Sequence, residues 1–436
     1  MRNFKPLALT LALSNIFIAP VYADEVALQK KIDQLASQLA KLQHEIKNLH
    51  SQTEAIATQQ ETISTTSKDH DTGSSESTGA TLWGYGEINY NHPTGSAPVG
   101  NLQQDNTARM DLRRAIFGIG YKFDDSTRFI SEFEVEHAIV SAGDSGEVAM
   151  EQFYIDHKLS KNLHLKAGLF LIPTGLLNVN HEPTQYYGVE RNFVETAIIP
   201  STWREGGLAV YGSTDQGLAW EVGVTTTVDL SSWDASSSKP QKKPLGSIHQ
   251  ELQKAKANNL GYYGSLNYRG IPGLVVGGSM FTSKISQNQP NTVLADSSRM
   301  LLWDTHVRWT PANWDFSAVY AKGTISNTQA MNLTFVGMPS PIPKEFFGWY
   351  VQSAYKVWQN NGQSLAPFVR YEHFNTGAKY AAMPQGFEIP SLTTEKVSTI
   401  GLSYYLNPNV VFKMDYQSFA ENSSLNRMDL GFGLTF

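Results

Sequence analysis

The stretch "NRMDLGFGLTF" closes the chain, and from Met428 to Phe436 every second residue is apolar. A period of two marks a strand with one apolar and one polar face, because successive side chains leave a strand on opposite sides. The same alternation returns throughout residues 81–436. In "RFISEFEVE", Phe129, Phe133 and Val135 share one face while Arg128, Glu132, Glu134 and Glu136 share the other. "LLWDTHVRW" sets Leu301, Trp303, Val307 and Trp309 against Asp304, His306 and Arg308, and "VVFKMDYQ" sets Phe412, Met414 and Tyr416 against Lys413, Asp415 and Gln417. Sixteen such segments are expected, at 81–90, 108–123, 127–139, 148–159, 162–172, 204–212, 217–229, 259–269, 273–284, 299–310, 313–325, 346–358, 364–374, 395–406, 409–419 and 425–436.

Any single segment would serve equally well in a soluble antiparallel sheet with one wet face. The connections separate the two cases. Every second one is a short turn, "DDS", "SKN", "STDQ", "IP", "PA", "NNGQ" and "NP", and those between are mostly much longer. Short turns on one side and long loops on the other are the build of an outer-membrane barrel, and an even strand count returns both ends to the short-turn side. The last strand must then pair with the first, "TLWGYGEINY", because an unpaired edge cannot exist in hydrocarbon. That places Met428, Leu430, Phe432, Leu434 and Phe436 against lipid, and Arg427, Asp429 and Thr435 against a wet interior. Tyr121, Trp220, Trp309, Trp314 and Trp358 fall within a few residues of the short turns, where an interfacial girdle belongs. The expected fold is all-β, a 16-stranded antiparallel transmembrane β-barrel with an N-terminal α-helical coiled-coil segment.

A different period governs the N-terminal region. Residues 1–23 carry Arg2 and Lys5, an apolar stretch from Leu7 to Ala19, and Val21 and Ala23 in the positions of a cleavage site. This is the layout of a secretory signal peptide. From Leu28 the apolar positions Ile32, Leu35, Leu39, Leu42, Ile46, Leu49 and Ile56 alternate in steps of four and three, with Thr53 in one slot. Heptads of this kind specify a coiled-coil stalk over 24–65, with mixed Ile and Leu that leave dimer and trimer open. The Ser/Thr/Gly-rich residues 66–80 make a flexible linker, and 81–436 form the barrel domain.

Composition agrees with export. The chain of 436 residues has no cysteine, which rules out a disulfide framework and thiolate metal sites. Outside the signal peptide no apolar run is long enough for a membrane helix. Removing residues 1–23 takes away two cations and no acid, moving the formal charge from −6 to −8, so no basic nucleic-acid surface is expected.

The barrel region resembles the phosphate-selective porin O and P family, in "LRRAIFGIGYKF", "LKAGLFLIPTGL", "REGGLAVYG", "GWYVQSAYKV", "LAPFVRYEHF" and "IGLSYYLNPNVVFKMDYQ". That resemblance implies a sixteen-stranded outer-membrane porin, a homotrimer, and passive diffusion of small anionic solutes such as phosphate. It also implies that the long connection after the fifth strand, 173–203, folds inward rather than lying wholly on the outer surface; His181, Glu182, Glu190, Arg191 and Glu195 among Tyr186, Tyr187 and Phe193 would anchor it and leave a few charges facing solute.

Strand parity sends many charges inward with signs close to balance, so the residues alone leave anion or cation preference open. The candidates for pore lining and solute contact are Lys166, Arg191, Arg308, Lys356 and Arg370. No catalytic motif, phosphate-cradling glycine loop or His-Glu metal motif is present, and neither an enzyme nor a cofactor is expected. The expected location is the bacterial outer membrane, with the stalk in the periplasm and available for peptidoglycan contact. The rival reading is a structural or adhesive barrel, tethered to the cell wall by that stalk and binding through its long loops.

Overall fold

The computed structural model describes residues 79–95, 107–141, 143–289 and 297–436. The expected signal peptide, the coiled coil and residues 66–78 of the linker lie outside them. Gly79 and Ala80, expected in the linker, instead open the first strand and pair with Lys122 and Tyr121.

Sixteen strands follow one another: β1 Gly79–Pro93, β2 Arg109–Lys122, β3 Thr127–Glu136, β4 Glu147–Ser160, β5 Leu163–Leu171, β6 Arg204–Ser213, β7 Leu218–Thr225 and β8 Gly261–Tyr268. They continue as β9 Leu274–Lys284, β10 Arg299–Trp309, β11 Trp314–Ile325, β12 Glu345–Tyr355, β13 Gln363–Lys379, β14 Glu395–Asn407, β15 Val410–Phe419 and β16 Arg427–Thr435. Strand β12 resumes as Trp358–Asn360 after a two-residue break, and both pieces pair with β13. Every strand is antiparallel to its neighbours in sequence, and β1 pairs with both β2 and β16, closing the sheet.

The short turns use residues suited to tight reversals. Asn360 pairs with Gln363 around Asn361 and Gly362, whose φ values are 48° and 83°. Two positive φ angles in a two-residue loop match the right-handed twist of the flanking strands, which is why Asn-Gly is favoured there.

Burial is inverted relative to a water-soluble sheet. Leu82 is 75% exposed and Met110 74%, and Phe117, Phe133, Phe153, Ile400, Phe412, Met414 and Phe436 also lie open on the outer face. Glu132, Glu134, Asp156, Asp304, Glu372, Asp415 and Asp429 are buried. Leaving one large apolar side chain in water forgoes roughly 1.5–3 kcal/mol, so a face made of them calls for an apolar environment. Tyr121, Trp309, Trp314 and Trp358 are exposed beside the short turns, with Trp220 half-buried among them. An apolar cluster lies on the inner side as well: Trp203, Leu230, Leu245 and Ile248 from connecting segments pack with Phe281, Met300 and Phe346 from the wall. Connecting segments thus enter the barrel between β5 and β12.

Candidate functional site

The segment from Pro173 to Trp203, the inward loop, has stems held together at the wall. Ile172 N–H donates to the Trp203 carbonyl at 2.9 Å, and the Asn178 amide bridges both stems. Its Nδ2 donates to the carbonyls of Ile172 and Trp203 at 2.7 and 2.9 Å, and its Oδ1 accepts from Trp203 N–H at 2.7 Å. Within the loop, Glu195 is a hub. Oε1 accepts from the N–H groups of Leu176 and Leu177 at 2.6 and 2.7 Å, and Oε2 from Asn192 Nδ2 and Tyr350 OH at 2.8 and 2.9 Å. Burial pushes the Glu195 carboxyl above its usual range even against these bonds.

From its stems the loop crosses to the opposite wall. Tyr186 OH donates to Glu87 on β1 at 2.6 Å, and Tyr187 OH to Asp315 on β11 at 3.0 Å. Val189 N–H reaches Asp415 on β15 at 2.7 Å, and Phe193 N–H reaches Glu372 on β13 at 2.6 Å. In return Ser403 Oγ donates to the Tyr187 carbonyl at 2.8 Å and Lys413 Nζ to the Gly188 carbonyl at 3.0 Å. Much of the wall's charge therefore fixes this loop, because a buried backbone N–H needs an acceptor and a carboxylate is a strong one.

The five sequence candidates separate. Arg308 on β10 and Arg370 on β13 line one cavity beside the loop, together with Tyr186, Tyr187, Asn192 and Gln352. Each carries a carboxylate: Arg308 meets Asp315 through two bonds of 3.1 and 2.7 Å, and Arg370 Nε meets Glu372 at 2.7 Å. Lys166 on β5 lies elsewhere on the wall, paired with Glu221 at 3.1 Å and 5.1–5.6 Å from the ring centres of Phe170, Tyr211 and Tyr154. Arg191 is buried inside the loop, donating to Ser201 Oγ and to the His181 carbonyl at 2.8 and 2.9 Å. Lys356 is exposed in the break of β12, where its N–H bonds the Asn313 carbonyl at the short-turn end.

Sequence reasoning missed Asn178 in "LLNVNHEP" and counted Glu195 in "NFVETA" only as one of several loop charges, not as the hub of the loop. Both stand in one long aperiodic stretch, singled out by its length and by its place after the fifth strand.

A closed sheet with an apolar outer face, a charged inner face and a loop folded across it is the fold of porin barrels, and solved structures share it. OmpF of Salmonella typhi, in complex with daunomycin, aligns with a TM-score of 0.56 at 16% identity, over 82% of this chain and 98% of that one. The outer-membrane channel DcaP of Acinetobacter baumannii aligns with a TM-score of 0.50 at 13% identity, over 82% of this chain and 97% of its own. No family model matches the chain. An uncharacterized protein of Aquifex aeolicus is 32% identical over 347 residues, 78% of this chain and 75% of its own length, and the chain belongs to the family of that protein.

Proposed function

We propose that the protein is an outer-membrane porin, a water-filled channel through which small hydrophilic solutes and ions diffuse passively. The observation that carries this reading is the inward loop, tied from β5 and β6 to Glu87, Asp315, Glu372 and Asp415 across a charged interior. A fixed constriction bordered by charges filters by size and by field at close quarters.

Phosphate-type anion selectivity, and with it membership of the phosphate-selective porin O and P family, is the narrower proposal. Arg308 and Arg370 on one cavity support it, since guanidinium groups suit an oxyanion. Their carboxylate partners weaken the field an anion would meet, so a modest preference is expected rather than strict selection. The homotrimer, the periplasmic position of the stalk and its contact with peptidoglycan belong to the same proposal. Purified protein in a planar bilayer should give stepwise ion current, with a reversal potential only slightly displaced under a salt gradient. A silent bilayer would favour the tethering barrel instead.

A further inference from the structure

Beside the stems of the inward loop, three buried side chains converge that take no part in the far-wall anchors. Glu132 on β3, Glu151 on β4 and His181 in the loop bring one ligand atom each within 4.8 Å of one another. A bulge creates the cluster. The β3–β4 register passes from Glu132 opposite Gln152 to Phe133 opposite Met150, leaving Glu151 as the extra residue. Unbroken alternation would aim Glu151 outward with Phe153; the bulge turns it inward beside Gln152, and both are buried.

The protons at this cluster do not add up unless a positive charge is present. His181 Nδ1 lies 2.9 Å from the Asn178 carbonyl, which only accepts, so Nδ1 carries the proton. Nε2 then turns its lone pair toward Glu151 Oε1, 2.8 Å away. Two acceptors that close need a proton or a metal ion between them, and a proton, which makes the ring an imidazolium, offsets only one of the two carboxylates that meet here. Glu151 Oε1 has no hydrogen-bond donor of adequate geometry, although its side chain is 0% exposed. Glu132 adds a second carboxylate. Its Oε1 accepts from Trp83 Nε1 at 2.8 Å and its Oε2 from Gln152 Nε2 at 2.6 Å, which orients the group and leaves lone pairs on both oxygens.

We infer that Glu132, Glu151 and His181 form a site for one divalent transition-metal ion of the zinc type, which fastens the inward loop to the β3–β4 wall. One imidazole nitrogen and two carboxylates are a ligand set that zinc accepts, with a fourth position left for water. The ion's two positive charges balance the two carboxylates while the imidazole stays neutral. Supporting contacts are in place: the Asn178 carbonyl fixes the ring of His181, and Trp83 and Gln152 fix Glu132. Calcium is disfavoured, since it draws on oxygen ligands alone.

The test uses the full-length protein, folded in detergent with zinc chloride and then dialysed, with metal counted by mass spectrometry. About one zinc per chain is expected for wild type, and His181→Gln should weaken zinc binding by at least the roughly 10–100-fold that losing a mere supporting contact costs. Folding of each variant is checked by heat-modifiable mobility on a gel, with His306→Gln as a control that keeps zinc. Should His181→Gln fail to fold, wild type loaded with cobalt(II) decides: an intense visible band of a low-coordinate nitrogen–oxygen site supports the assignment. A wild type that retains no zinc, a folded His181→Gln that retains it fully, or a cobalt spectrum of the hydrated ion alone would overturn it.

Discussion

Gly84 and Phe436 exchange both of their backbone hydrogen bonds, at 3.0 and 2.9 Å, so the final residue of the chain completes the pairing of the last strand with the first. A Cβ on residue 84 would lie 2.6 Å from the Phe436 ring and 2.5 Å from the Ile116 carbonyl oxygen. Backbone on one side and the terminal ring on the other leave no room for a side chain. Gly84→Val should therefore lower the temperature at which the barrel unfolds on a semi-native gel, as should deletion of Phe436, which forfeits about 0.5–1.5 kcal/mol for each of the two bonds. Gly264→Ala, whose added carbon would meet nothing closer than 3.7 Å, is the matched control and should change little.

The asymmetry of turns and loops predicts which side faces out. An epitope inserted at the exposed Ser236 should bind antibody on intact cells, and one at Asn361, in a short turn, should bind only after the envelope is opened. Reversed access would turn the barrel over.

Glu195 satisfies four donors at once, two of them backbone N–H groups. Glu195→Ala leaves these donors buried without an acceptor, at about 1–3 kcal/mol for each one that water cannot reach. The barrel should still form while the loop loosens. Faster proteolysis within 173–203 and noisier single-channel current are the expected signs; unchanged current noise would place the loop off the conduction path.

Arg191 and Arg308 should respond differently to charge reversal. Arg191→Glu puts a carboxylate against the His181 carbonyl, with no cation replacing the lost one, and should disrupt the loop. Arg308→Glu removes the guanidinium from Asp315 while the Tyr187 hydroxyl still donates to that carboxylate, and should shift the reversal potential toward cations without raising current noise. A larger selectivity shift from Arg191→Glu, with the loop intact, would assign solute contact to the loop arginine instead.

The loop after β7 carries an acid-sensitive contact. Asp229 accepts from Ser231 N–H at 3.0 Å and from Lys256 Nζ at 2.7 Å. Burial raises its carboxyl pKa, but Lys256 and Ser231 outweigh burial and hold it below the ordinary 3.8. A depressed folded-state value stabilises fully above the unfolded value and is lost as pH falls through the folded one. Amide protection across 226–260, taken relative to the intrinsic exchange rate at each pH, should accordingly hold until below about pH 4. Asp229→Asn should speed that exchange at neutral pH; an unaffected variant would show that the pair contributes nothing.

All sixteen strands could be read because lipid outside and charge inside impose one period on every strand, and a one-residue slip would expose each face to the wrong medium. The misfits have local causes. Strand β7 stops at Thr225 rather than 229 because Asp229 caps a turn at Leu230–Ser232, and β13 runs on to Lys379 rather than stopping at 374. Parity also found Arg308 and Arg370. It could not find Glu151, since a bulge reverses parity at that residue, nor Asn178 and Glu195, whose partners stand at irregular distances along a loop. No motif marks the Glu132, Glu151 and His181 cluster because its members come from two strands and a loop, and meet only once the wall and the loop are in place.

The inverted burial of the strands bears on how such a chain can be delivered. A segment whose every second residue is polar never offers the roughly twenty consecutive apolar residues that a bilayer retains as a helix. In "NRMDLGFGLTF" the hydrophobic residues are interleaved with Asp, Gly and Thr, so the free strand offers no run that a bilayer would retain as a helix. Only when neighbouring strands take up its backbone bonds do Met428, Leu430 and Phe436 become one side of a surface. Greasiness in this protein belongs to the assembled sheet and not to the thread.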